Sequence, residues 1–183
     1  FIYLLLFLHL SCTNVTNKYE CYELNENLEK YKVLTTLEDV QIRIDTAKTY
    51  KNIAYLTFNM GLIFSHEGLY KEAIHHFSIV DSICPFFIEN KCQKGLCYLN
   101  IGNIDKAEED FLDVILIDST YADAYSFLGF INSVKDNYKE SELYITKAIE
   151  IDSSISDYYI KYAMLKYKMG SIDSAEYLYK KAI

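Results

Sequence analysis

The sequence predicts an all-α chain, an α-solenoid of antiparallel helical hairpins. Three observations carry this. Residue classes recur at a period of 34, apolar residues fall at three- and four-residue steps between the recurrences, and 183 residues hold one proline and six glycines. So few turn formers do not suit a β-sandwich and do suit helices. The chain is 51% apolar, enough for a core, and its length fits one compact domain or one short repeat array.

The period shows in five registers. Gly61, Gly95 and Gly129 are followed by Ala163; Gly68 and Gly102 by Asp136 and Gly170; Ala73 and Ala107 by Ser141 and Ala175. Phe77, Phe111, Ile145 and Tyr179 form the fourth, and Val80, Val114, Ala148 and Ala182 the fifth. Self-similarity at a fixed period of this length marks a repeat architecture. In the first unit, residues 54–67 place Leu56, Met60, Ile63 and Phe64 at helical spacing. Gly68 breaks that helix and takes a positive φ at little cost. Residues 70–82 form a second helix with Ala73, Ile74, Phe77 and Val80 on one face, and Pro85 stops it. Small residues at 61 and 73 face each other, so the two backbones approach closely while Phe77 fills the space beyond.

These residues resemble the tetratricopeptide family, whose 34-residue units carry small residues where this chain has Gly61 and Ala73. The family also has glycine where Gly68 stands, aromatics near Tyr70 and Phe77, and proline where Pro85 stands. The units are 54–87, 88–121, 122–155 and a shortened 156–183. Departures are Ser119 and Ser153 in the proline place, and Thr57 and Lys91 where later units have Tyr125 and Tyr159. The third unit is weakest, with Asn132, Asp136 and Ser141 at signature sites. Residues 25–53 read as a divergent first helical unit or cap. Leu34, Leu37, Val40, Ile44 and Ala47 lie on one helix face there, and Thr35 with Glu38 has capping-box spacing.

The resemblance implies a concave groove lined by the first helix of each unit. Its residues here are Tyr55, Phe58, Leu62 and Ser65, then Glu89, Cys92, Leu96 and Leu99. Asp123, Ser126, Phe130 and Ser133 follow, then Asp157, Ile160, Met164 and Tyr167. The middle is apolar and aromatic and the edge acidic, which suits an amphipathic helix or extended peptide with a basic flank. The competing reading, that these residues bury one another, stays open. Family members that clamp a C-terminal carboxylate use Lys and Asn where this chain has Phe58 and Leu62, with further cations where it has Asp123 and Phe127. The chain therefore lacks that clamp.

Residues 1–11 open on FIYLLLFLHL, a run too short for a bilayer, which needs roughly 20 residues, and of the length of a signal-peptide apolar region. Leu10-Ser11-Cys12 resembles a bacterial lipobox, although His9 stands where the family has an aliphatic residue. The resemblance implies a diacylglycerol on Cys12, cleavage before it, and residues 12–24 as a tether. A plainly cleaved signal and a packed apolar helix are the alternatives. The other cysteines, Cys21, Cys84, Cys92 and Cys97, read as buried thiols, with a Cys84–Cys92 bridge as the alternative; none has metal-ligand spacing.

A net charge of −8 with no Lys/Arg cluster argues against nucleic acid. No phosphate loop or nucleophile elbow occurs. His75 and His76 are adjacent and diverge on a helix; Glu72 with His76 is the one metal-type pair, and a solvated face is the plainer reading. His66 sits at a helix end. Asp118 and Asp152 recur after second helices as turn residues, and Glu108, Glu109 and Asp110 read as surface. No catalytic, cofactor or metal residue is expected. The expectation is a non-enzymatic scaffold that binds a protein or peptide, within a multi-protein complex and without nucleic acid. It would be lipid-anchored on a bacterial envelope, facing the periplasm or outside. The alternatives are a regulatory or sensor piece of a larger protein and a cytoplasmic scaffold.

Overall fold

The structure, a computed structural model, describes residues 50–183, with side chains from Ile53 onward. The apolar run 1–11, Cys12, the tether 12–24 and nearly all of the divergent unit 25–53 lie outside the described residues. Eight helices occupy the described part: α1 (Tyr50–His66), α2 (Tyr70–Ile83), α3 (Ile88–Asn100), α4 (Ile104–Ile117), α5 (Ala122–Val134), α6 (Tyr138–Ile151), α7 (Ser156–Lys168) and α8 (Ile172–Lys181). The chain divides into two compact units between Asn103 and Ile104.

In the first unit α1 and α2 form a hairpin and α3 packs on α2. The turn follows from Gly68, which takes φ 76°. The Leu69 N–H then returns to the Phe64 carbonyl at 2.8 Å and the Gly68 N–H to Ser65 at 3.1 Å. This satisfies carbonyls that a helix end leaves open. Gly61 sits at the helix crossing. A Cβ placed there would meet the Phe77 ring at 2.4 Å, so only a hydrogen fits. Phe77 and Phe87 are fully buried, and Phe58 lies against both rings at centroid distances of 5.7 and 4.9 Å. Each such ring contributes about 1.5–3 kcal/mol through burial alone. Asn90 of α3, also fully buried, donates to the Phe77 carbonyl at 2.9 Å and to Asp81 at 2.8 Å. It thereby ties α3 to α2.

In the second unit α4 packs on α5, α5 and α6 form a hairpin, and α7 and α8 form another that α6 joins through α7. Phe111 and Phe127 stack at 4.9 Å, holding α4 to α5. Gly129 repeats the part played by Gly61, since a Cβ there would lie 2.4 Å from Ile145 Cγ1 and 3.1 Å from the Ser141 carbonyl. The departures of this repeat find local partners. Ser141 donates its hydroxyl to the Gly129 carbonyl at 2.7 Å in the sealed crossing, and Asn132 donates to Leu128 at 2.9 Å. Asp136 takes the glycine's place in the turn with φ 61°. Asp118 and Asp152 each accept from the backbone N–H two residues on at 2.8 Å, the turn geometry expected of them. Ala163 and Ala175 are buried at the α7–α8 crossing.

Candidate partner-binding face

The residues expected to line a groove fall into two groups. Tyr55, Phe58 and Cys92 are buried, and Tyr55 and Phe58 belong to the core of the first unit. Phe58 lies against the Phe77 and Phe87 rings. Leu62, Leu96 and Leu99 are half-buried. In the second unit Phe130 is half-buried, whereas Ile160, Met164 and Tyr167 are 38%, 46% and 63% exposed.

Phe130, Met164 and Tyr167 come together. With Ser133 and Val134 of α5, Lys161 and Lys168 of α7 and Tyr179 of α8 they line a cavity of about 300 Å³. Its lining is mostly apolar and aromatic, with two lysines among it. Lys168 donates to the Ser133 carbonyl at 2.7 Å, with Asp136 at 3.7 Å. Lys161 pairs with Asp157 and lies over the Phe127 ring, 4.6 Å from its centroid. The family resemblance pointed to the apolar members through their places in the repeat unit. It missed the lysines, which flank them, and Tyr179, which reads as a core position. At its register Phe77, Phe111 and Ile145 are fully buried, but Tyr179 is 41% exposed.

The acidic edge is used internally. Tyr158 donates to Asp123 at 2.6 Å, and Asp157 holds Lys161. Burial and then the bond to Asp123 push the Tyr158 phenol up, so it stays a donor. Asp123 and Asp157 therefore offer little to a basic flank. On the α6 side of α7, Glu142 accepts from Lys166 at 2.7 Å and from Tyr162 at 2.5 Å. Those two bonds hold its carboxyl below the usual range and lock α7 to α6.

Residues outside this face resolve several expectations. His75 is exposed, as a solvated face requires, but His76 is not. Its ring stacks on Phe64 at 5.2 Å and 9°, and its Nδ1 is buried without a hydrogen-bond partner. Glu72 and His76 thus do not act as a solvent-facing pair. Among the described residues, no three His, Cys, Asp or Glu side chains converge as metal ligands would, and no helix is long and apolar enough to cross a membrane. Cys84 is disulfide-bonded, whereas Cys92 and Cys97 remain thiols. This overturns both the reading of all four cysteines as thiols and the Cys84–Cys92 bridge.

Comparison with known proteins fits this geometry. Residues 88–121 and 122–155 match the tetratricopeptide repeat family. Superkiller complex protein 3 of Mus musculus is 27% identical over 77 residues, which span 42% of this chain and 5% of the mouse protein. A tetratricopeptide repeat protein from Parabacteroides merdae superposes with a TM-score of 0.72 at 19% identity, covering 90% of this chain and 66% of that one. MamA from Desulfovibrio magneticus RS-1 superposes at 0.70 and 18%, covering 93% and 95%. The first repeat domain of Spaghetti (RPAP3), solved with an HSP90 peptide, superposes at 0.61 and 17%, covering 64% and 94%. At these identities the structural likeness concerns the fold.

Proposed function

We propose, taking as premise that this chain is a tetratricopeptide-repeat scaffold for protein–protein interaction, that it engages a peptide segment on the face shared by α5 and α7. The carrying observation is the cavity of Phe130, Met164 and Tyr167, where large apolar side chains stay accessible around a concavity. Exposed aromatic and aliphatic anchors around a pocket are the features that dominate peptide interfaces energetically. In the first unit the same registers hold Leu62 and Ser65, both half-buried. Phe58 is buried where a carboxylate clamp would need a lysine, which favours recognition through apolar anchors.

The scaffold works at a bacterial envelope, held by a lipid on Cys12. The support is the apolar run before Ser11-Cys12 and the oxidised state of Cys84, since disulfides persist in exported proteins and are rare in reducing cytosol. Stable anchoring needs two acyl signals, which a diacylglycerol provides.

A photo-crosslinking residue at position 164 tests the face, with the same residue at Leu143, 70% exposed on α6, as control. A partner adduct at 164 and not at 143 is expected; equal labelling at both sites, or none at 164, would remove the reading. Radiolabelled-lipid incorporation tests the anchor. Label in the wild type and none in Cys12→Ala is expected, and equal label in both would sink it.

A further inference from the structure

We propose that the outward face of α4 docks a second copy of this chain, whose α6 supplies the complementary stripe. The repeat serves as its own control. On α4 the exposed residues Glu109, Leu112, Asp113 and Leu116 stand at i, i+3, i+4 and i+7, on one helix face. Leu112 is 40% exposed and Leu116 84%. One period away, the Leu112 register holds Ser78, Thr146 and Lys180, and the Leu116 register holds Ser82 and Glu150. The hairpin fold therefore does not require leucine at either place, and the other units put a polar group there. The acid is equally local, since the Asp113 register carries Ile79, Lys147 and Lys181. Two neighbouring leucines left in water gain burial only when another surface covers them.

Charge selects the cover. Asp105 and Glu108, at the start of α4, are drawn to Lys135 at 2.7 and 2.6 Å, whereas Glu109 and Asp113 flank the leucines. A matching face is apolar at its centre and basic at its flanks. On α6, Leu143 lies between the exposed Lys139 and Lys147, four residues to either side on the same face. Lys147 pairs with Glu150 at 3.3 Å, with both side chains at least half exposed, an interaction worth little in water. A second α4 laid on α4 would set carboxylate against carboxylate, so α6 is the match. Leu143 of one copy seats between Leu112 and Leu116 of the other, and the two lysines reach Glu109 and Asp113. Made reciprocally, α4 on α6 and α6 on α4, the contact joins two copies about a two-fold axis.

The test is analytical ultracentrifugation of the full chain over a range of concentrations. A concentration-dependent pair is expected, weaker at high salt. Its dissociation constant should rise by about tenfold or more in Leu116→Glu and in Leu143→Glu, and hold in Met164→Glu on the α5–α7 face. Glu109→Lys with Asp113→Lys should weaken the pair, and adding Lys139→Glu with Lys147→Glu should restore it. Circular dichroism confirms that these variants, all at exposed positions, keep their helices. A chain monomeric at every concentration, or association that persists in Leu116→Glu, would overturn the inference. Failure of the exchanged charges to restore pairing would overturn α6 as the occupant. A crosslink at position 143 to a second copy has twice the mass of this chain, which tells it apart from a partner adduct at position 164.

Discussion

A methyl group decides how closely α5 and α6 can pack. On Gly129 it would lie 2.4 Å from Ile145 Cγ1 and 3.1 Å from the Ile145 nitrogen and the Ser141 carbonyl. Two of those neighbours are backbone, so relief requires the helices to part. Gly129→Ala should therefore cost about 1–3 kcal/mol, the usual cost of overpacking, despite the helix propensity that alanine adds. A lower urea midpoint checks this, and an unchanged or higher one would show that the helices are not so close. His76 gives a second prediction at this scale. Burial, and then the neighbouring His75, push its pKa below the usual value of 6.5, while its ring stacks on Phe64. The folded state favours the neutral ring and the unfolded chain binds the proton more readily. This contribution is complete above the unfolded value of 6.5 and is lost as pH falls toward the folded value. His76→Phe keeps the stack without the titration. The fall in urea midpoint between neutral and mildly acidic pH should be smaller in this variant, and an equal fall would remove His76 as a cause.

Turns and hairpins are the level at which the sequence was most legible. The 34-residue period carried the helical-hairpin architecture that α1 to α8 form, because spacing and breaking residues are local properties. The turn after α5 was the exception to its glycine pattern, and the structure shows why the exception is tolerated. Asp136 adopts φ 61°, close to Gly68 at 76°, Gly102 at 75° and Gly170 at 80°, and its carboxylate accepts from Tyr138 at 2.9 Å. Left-handed backbone costs a residue with a Cβ about 1–2 kcal/mol, less for Asp than for most. Asp136→Gly should thus raise stability by up to about 1 kcal/mol, and Gly102→Ala should lower it by a similar amount or more. Thermal unfolding of the two variants should move in opposite directions; the same direction would refute the shared turn geometry. The site was less legible than the turns. Phe130, Met164 and Tyr167 came from the family resemblance. Burial of Phe58 did not, because it depends on Phe77 and Phe87 arriving from other elements. Nor did the role of Lys168, because its partner is a carbonyl on another helix. Contacts between elements decide which residue of an apolar face is sealed, and spacing along one helix does not carry that information.

For the whole molecule, the cysteines differ in state. Cys84 is bonded, while Cys92 and Cys97 remain buried thiols. Burial pushes the Cys97 thiol up, which a bond to the Ser65 hydroxyl only partly offsets, so it reacts slowly in the native state. Alkylation after unfolding without reductant should label Cys92 and Cys97 and spare Cys84, and adding reductant should expose Cys84. Label on Cys84 without reductant, in protein taken from its native compartment, would remove the oxidative support for export.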